Sequence, residues 1–489
     1  MAKKKSLKVN AIMNALLQVM SVIFPLITFP YVSRILLPDG VGKVSFANSV
    51  ISYFIMFAHL GMPTYGVRAC ARVGDDKELL SKTAHELLII SVITTTISYG
   101  VFLILLFFVP RFYVEKELFL IMSISILLSS LGMEWLYKSV EAYSYITIRS
   151  ILFKAVALIC TILLVKSKED YLLYGGISIF ALVGSNFLNL LNAHKHISFK
   201  YIGGYNLKPH LKAVMVFFAM SCATTVYIHL DSAMLGFIKS DEAVGLYDTS
   251  VKIRNVLMHI VTALGVVLLP RTSYYVKKGM QEQFLNVVKK ALNFVLLFAS
   301  AITVYFVLFA RESVLFLAGE SFSGSIIPMQ IIIPTLLLVG ITNITGTQTL
   351  VSLGREKAVL LSVVIGAIVD ALLNLILIPF WGGTGAAIGT LFAEIAVMIV
   401  QIYLLDSDVR GCFRELYYRD TVVAVVASIV ASLGIKFCGF SPFVSLVISS
   451  IIYFGTYLGV LLALKNKLAD ELLKDVIRKI TRKGRKGSV

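Results

Sequence analysis

Val9-Asn10-Ala11-Ile12-Met13-Asn14-Ala15-Leu16-Leu17-Gln18-Val19-Met20-Ser21-Val22-Ile23-Phe24-Pro25-Leu26-Ile27-Thr28 decides the fold. The stretch carries no charge, and as a helix it is about 30 Å long, the thickness of a bilayer's hydrocarbon core. Its polar positions, Asn10, Asn14, Gln18, Ser21 and Thr28, with Pro25 in the same row, recur at steps of three and four and so share one face. A polar face at membrane depth must meet something other than lipid. Hydrogen bonds across packed helices satisfy that need, and so does a water-filled cavity.

The rest of the chain has the same character. Of its 489 residues, 58% are apolar and 15% are charged, with a mean hydropathy of +0.86. A soluble chain of this size cannot hide so much apolar surface, which excludes soluble-enzyme, disordered and disulfide-scaffold classes. Fourteen apolar runs are long enough to span: 9–36, 42–67, 84–109, 118–140, 148–166, 171–193, 212–238, 245–269, 288–310, 326–352, 358–378, 384–405, 420–440 and 442–464. The prediction is an all-α polytopic membrane protein with about 14 transmembrane helices. Met1-Ala2-Lys3-Lys4-Lys5 precedes a run of full spanning length, which reads as a retained helix rather than a cleaved leader.

The net charge of +17 is explained by topology rather than by nucleic acid. If the N-terminus is cytoplasmic, the outer connections and span ends hold only Arg34, Lys43, Arg111, Lys116, Lys166, Lys168, Lys239, Arg311 and Lys436. Both termini are therefore expected inside. Beyond Lys465, Leu468, Leu472, Leu473, Val476, Ile477 and Ile480 repeat at helical spacing among Lys and Arg. That pattern suits either an amphipathic helix on an anionic leaflet or a solvated basic tail.

The chain also repeats itself. Val41-Gly42 recurs as Val244-Gly245, and Leu60-Gly61 through Arg68 resembles Leu264-Gly265 through Arg271, at an offset near 203. Gly175-Gly176 and Gly385-Ala386 open spans 6 and 12 alike. Two six-span repeats follow, and an even span number gives both the same orientation, as in transporters with two lobes around a central cavity. The domains expected are an N-lobe at 1–205, a C-lobe at 206–410, an appended pair of spans at 411–465 and a basic tail at 466–489.

Candidate site residues are the polar groups at membrane depth. Span 2 has Ser45, Asn48, Ser52 and His59, and span 8 has Asp248, Lys252, Arg254, Asn255, His259 and Thr262. Arg34 ends span 1, and its planar guanidinium suits a phosphate. Lys252 either joins a cationic cavity or pairs with Asp248 at the interface. Arg34, Asn14, Gln18, Asn48, His59, Lys252, Arg254, Asn255 and His259 are the candidate substrate-binding set. Acids fall mainly in the second half: Asp231, Asp370, with Asn374 one turn on, and Glu394, one turn after Thr390. Such groups bind Na⁺, carry a proton or are neutralised internally. The scattered Cys70, Cys160, Cys222, Cys412 and Cys438 form no metal motif, and no GxxxxGK[ST], HExxH or GxSxG occurs, so no enzyme chemistry and no bound cofactor are expected.

Pro30-Tyr31-Val32-Ser33-Arg34-Ile35-Leu36-Leu37-Pro38-Asp39-Gly40-Val41-Gly42 resembles the opening signature of the polysaccharide repeat-unit flippases, the Wzx group. Leu60-Gly61-Met62-Pro63-Thr64-Tyr65-Gly66-Val67-Arg68 resembles their next signature. The resemblance implies the fold of the multidrug, oligosaccharidyl-lipid and polysaccharide exporters. It also implies transport of undecaprenyl-pyrophosphate-linked oligosaccharide across the bacterial cytoplasmic membrane by alternating access, for O-antigen, capsule or exopolysaccharide. Membrane lipids and the pathway's polymerase and glycosyltransferases are the partners implied. By the same resemblance Arg34 faces the cavity, and Asp231, Asp370, Asn374 and Thr390 are the nearest matches to a sodium site in related lipid II flippases. Glu394 is charged and the order on span 11 is Asp then Asn, which makes a proton an alternative to Na⁺. A lipid II flippase and a cation-coupled multidrug exporter are the rival functions. A drug exporter would want acids in the first lobe, where the central spans carry Arg34, Asn14, Gln18 and His59.

Overall fold

The computed structural model describes residues 7–74, 76–471 and 473–474, with the side chains of 7, 8 and 263–267 left aside. Among the described residues there are helices and no strands. Eleven helices are long and apolar enough to cross a membrane, or twelve if the bent pair Glu320–Ile332 and Thr335–Leu350 is one span. Phe107, Phe108, Leu375, Phe380, Trp381, Phe437 and Ile451 are all more than half exposed on them. Such exposure is untenable in water and normal against acyl chains. The molecule is a multi-pass membrane protein.

The expected runs all fall on helix, but the first two are not separate. They form one 53-residue element, α1 (Leu7–His59), interrupted at Leu37, whose φ of 59° and ψ of 177° leave the helical region. A straight helix of that length would be about 80 Å long, far more than a bilayer. The break at Leu37 precedes Pro38, which disfavours helical geometry in the residue before it. The run at 245–269 is helical but not among the eleven, and it includes Asp248, Lys252 and Arg254. Of the basic tail's apolar positions, Leu472, Val476, Ile477 and Ile480 lie outside the described residues.

The chain forms two compact units, Met1–Asp248 and Thr249–Val489. In unit 1, α1 packs on α3 (Lys77–Phe108), α4 (Tyr143–Leu164) and α5 (Lys208–Ile238). The short α2 (Met62–Val73) follows a break where Leu60 and Gly61 both have positive φ. A Cβ at Gly61 would lie 2.5 Å from the Phe218 backbone nitrogen, so glycine allows both the turn and the close approach to α5. Tyr65, four residues on, hydrogen-bonds His210 Nδ1 at 2.8 Å, and His210 Nε2 meets Glu86 at 2.8 Å. The second signature is thus the tie between α2 and the start of α5.

The first signature makes a second close contact. Helix α6 (Asp241–Lys277) begins in unit 1 and crosses the unit boundary. A Cβ at Gly42 would lie 1.7 Å from the Asp241 carbonyl oxygen, and one at Gly245 would lie 2.0 Å from that of Pro38. Beyond them Ser45 Oγ donates to Asp248 at 2.7 Å, across 203 residues. Positions matched by the sequence repeat therefore touch one another reciprocally, as segments do around a local two-fold axis. Arg111 pairs with Asp241 and lies over the Phe46 ring at 4.9 Å, closing the same end of unit 1.

In unit 2, α7 (Gln281–Leu308) packs on Tyr418–Leu433 and Pro442–Ala463. Tyr457 Oη donates to the Leu297 carbonyl at 2.7 Å, and Tyr305 Oη to that of Leu446 at 2.8 Å. These buried hydroxyls find backbone acceptors, as buried phenols must. The tightest helix pair is α8 (Glu356–Trp381) with α9 (Gly383–Leu404), joined at Gly382.

Candidate functional site

Span 1 needed a partner for its polar face, and unit 1 supplies one that is not lipid. Asn10 Nδ2 donates to Glu141 at 3.3 Å, near the start of α1. Further along, Lys154 of α4 places Nζ 2.7 Å from Ser21 Oγ. Asn14 and Gln18 lie between these two contacts and are exposed. Arg34 is exposed too, and its Nη1 donates back to the Pro30 carbonyl one turn earlier. Amides and a lysine thus gather on one side of an apolar helix, where they can hydrogen-bond a polar ligand.

The span 2 stripe faces a cavity of about 240 Å³ inside unit 1. Asn48 is half-buried, and its carbonyl accepts from Ser52 Oγ at 2.7 Å. Ser52 and His59 line the cavity from α1. Ser221, Thr225 and His229 line it from α5, at four-residue steps that put all three on one helical face. His59 is the last residue of α1, so the Leu60–Gly61 break fixes where its ring sits. Its Nε2 is buried with no hydrogen-bond partner.

Asp231 lies in unit 1, 7% exposed, and accepts from Tyr247 Oη. The remaining proposed ion-coupling residues lie in unit 2. Asp370 and Asn374 on α8 are 1% and 0% exposed, and Thr390 and Glu394 on α9 are buried. Gly389 brings α9 onto the α8 pair. A Cβ there would lie 2.4 Å from Asn374 Oδ1 and 3.1 Å from Asp370 Oδ1. Thr390 Oγ1 donates to the Ala386 carbonyl at 3.1 Å. Carboxylate and amide oxygens so gathered are hard donors, suited to a small cation or a proton.

Arg254, expected beside the substrate, is 3.1 Å from Glu394 through Nη2, and its Nε donates to Thr335 Oγ1 at 2.6 Å. The structure therefore joins one residue of the substrate set to one of the ion set. Lys252 on α6 is half-buried, while Asn255 and His259 are exposed.

Sequence reasoning missed Lys154, Thr335 and the α5 row. The row was legible, since Ser221, Thr225 and His229 keep helical spacing. Lys154 gave no periodic signal, for the other cation of α4, Arg149, lies five residues earlier and off its helical face. Thr335 is indistinguishable from other threonines until Arg254 reaches it.

A model of the family described as "Polysaccharide biosynthesis protein" matches residues 7–276. The chain is 24% identical over 409 residues to the "Putative O-antigen transporter" of Escherichia coli K12, covering 83% of this chain and 98% of that one. It superposes on a lipid II flippase structure, MurJ in an inward closed conformation, with a TM-score of 0.70 at 14% identity, over 95% of this chain and 100% of that one. An inward-facing multidrug resistance transporter of the MATE family and MOP superfamily gives 0.61 at 12% identity, over 81% and 96% of the two chains. At such identity these two likenesses speak for the fold, which is that of MurJ and the MATE transporters.

Proposed function

The chain belongs to the polysaccharide biosynthesis protein family, and from that premise we propose that it moves undecaprenyl-pyrophosphate-linked oligosaccharide units from the inner to the outer leaflet of the cytoplasmic membrane. The coarser statement needs no proposal: it is a bacterial multi-pass membrane protein with the fold of MurJ and the MATE transporters, a transporter rather than an enzyme. The observation that carries the finer reading is Lys154 Nζ beside Ser21, on the α1 face that also bears Asn14 and Gln18. A cation beside the polar face of a spanning helix is costly unless something anionic and polar passes there. A pyrophosphate carrying a glycan has those properties, and its prenyl tail can stay in lipid.

In this reading Arg34 and Lys154 attract the pyrophosphate. Asn14, Gln18, Asn48, His59, Asn255 and His259 replace water around the polar head, and Lys252 adds charge. Transport proceeds by alternating access between two six-span lobes, with both termini cytoplasmic. Asp370, Asn374 and Thr390 take Na⁺ or a proton, and Asp231 is a further coupling acid within unit 1. Glu394, paired with Arg254, lies one turn from Thr390 on α9. Binding there biases the inward–outward equilibrium only by its differential affinity for the two states. The pathway's glycosyltransferases supply the substrate, and its polymerase consumes it.

Gene deletion tests the proposal. The expected result is lipid-linked oligosaccharide accumulating inside with loss of surface polysaccharide, both reversed by the wild-type chain. Accumulated lipid II with lost viability would replace the reading by a peptidoglycan flippase. Altered drug susceptibility with intact surface polysaccharide would replace it by a drug exporter.

A further inference from the structure

The cavity between α1 and α5 differs chemically from the cationic face of span 1. Its polar lining is Ser52, His59, Ser221, Thr225 and His229, with no Lys, Arg, Asp or Glu. Each hydroxyl both donates and accepts, and a neutral imidazole offers one of each. A phosphate ester would use only the donors and would want countercharge. A sugar ring, rimmed with hydroxyls that both donate and accept, would use the whole set. Ile55, Met56 and Pro63 add an apolar wall, which suits the C–H face of a pyranose. The 240 Å³ is the share of about eight waters at about 30 Å³ each, roughly the space of one such ring.

We propose that this cavity seats one sugar of the lipid-linked glycan and thereby selects the repeat unit. The inference rests on the flippase reading above and deepens it by separating sugar recognition from pyrophosphate recognition. Polar groups left unpaired by a wrong sugar are the source of discrimination, since a site built to bond a hydroxyl rejects a ligand that lacks it.

The test uses the full chain in nanodiscs and two probes: lipid-linked glycan extracted from the deletion strain, and bare undecaprenyl pyrophosphate. Thr225→Val keeps the side-chain shape and removes one hydroxyl, and Ser221→Ala removes another with little risk to folding. Each is expected to weaken the glycosylated probe about tenfold and leave the bare probe unchanged. His229→Phe is expected to do the same more strongly, provided its melting temperature matches wild type. Equal weakening of both probes would place the pyrophosphate in the cavity and overturn the proposal. Unchanged binding of both by all three variants would overturn it too, as would wild-type protein that holds the glycosylated probe no tighter than the bare one. If the deletion strain accumulates no lipid-linked glycan, the flippase reading itself fails, and the sugar site falls with it.

Discussion

Asn14 and Gln18 in unit 1, and Asp370 and Asn374 in unit 2, are polar pairs one turn apart on apolar helices, yet the first pair is exposed and the second buried. The helices are alike; what packs on them is not. Gly389 lets α9 close over Asp370 and Asn374. On α1 the amides are flanked by contacts at Asn10 and Ser21 and stay open between them. In the reading proposed above, the open pair serves a large exchanging headgroup and the closed pair a cation or proton. Sequence spacing cannot distinguish these uses, because it reports which face a residue occupies and not what covers that face.

The comparison breaks most decisively at Arg34. Arg34→Ala should abolish export at matched protein levels, whereas Arg34→Lys, which keeps the charge but loses the planar fork, should retain roughly a tenth. Export at the wild-type rate by the alanine variant, measured as surface polysaccharide, would remove Arg34 from the substrate path.

The closed site should show its largest stability effect at Glu394. Glu394→Gln strands Arg254 inside unit 2 and should cost about 3–5 kcal/mol, while neutralising both residues restores most of it. Thermal unfolding in detergent measures both. A double variant no more stable than the single would mean that the pair is not coupled.

A smaller effect sharpens the contrast at Gly389. Gly389→Ala forces a methyl against Asn374 Oδ1 and should cost about 1–3 kcal/mol by overpacking. It should also erase dependence of flipping on an imposed Na⁺ or proton gradient, with substrate binding kept. Retained dependence in proteoliposomes would remove the α8–α9 oxygens from coupling.

Ser21→Ala should matter least. It removes one hydrogen bond from Lys154, worth about 1 kcal/mol, and should slow export a few-fold. Lys154→Met should slow it more. If the two variants are equally mild, Lys154 is a structural tie and the open face carries less of the substrate's charge than Arg34 does.

Much of the architecture was readable from the chain. The run from Val9 to Thr28 announced a spanning helix with a polar face, because hydrophobic length and helical period are local properties. The repeat offset near 203 matched Gly42 with Gly245 in sequence, but it did not say that the matched positions would touch each other. The Leu37 break was less legible. Pro38-Asp39-Gly40 signals a turn, but the helix resumes at once, and the two runs join as one interrupted element.

The sequence by itself determined the class of protein, the helices, the residues that could not face lipid, and the two signatures. Those depend on burial length and on periods of three and four residues, which any short window contains. Only the tertiary structure decided the partnerships: Arg254 with Glu394 across 140 residues, Lys154 with Ser21 across 133, and the α5 row with His59 around one cavity. Those depend on which helix faces pack together. That choice is made by shape, by close approaches at glycine and by the cost of leaving a charge unpaired in a medium that cannot solvate it.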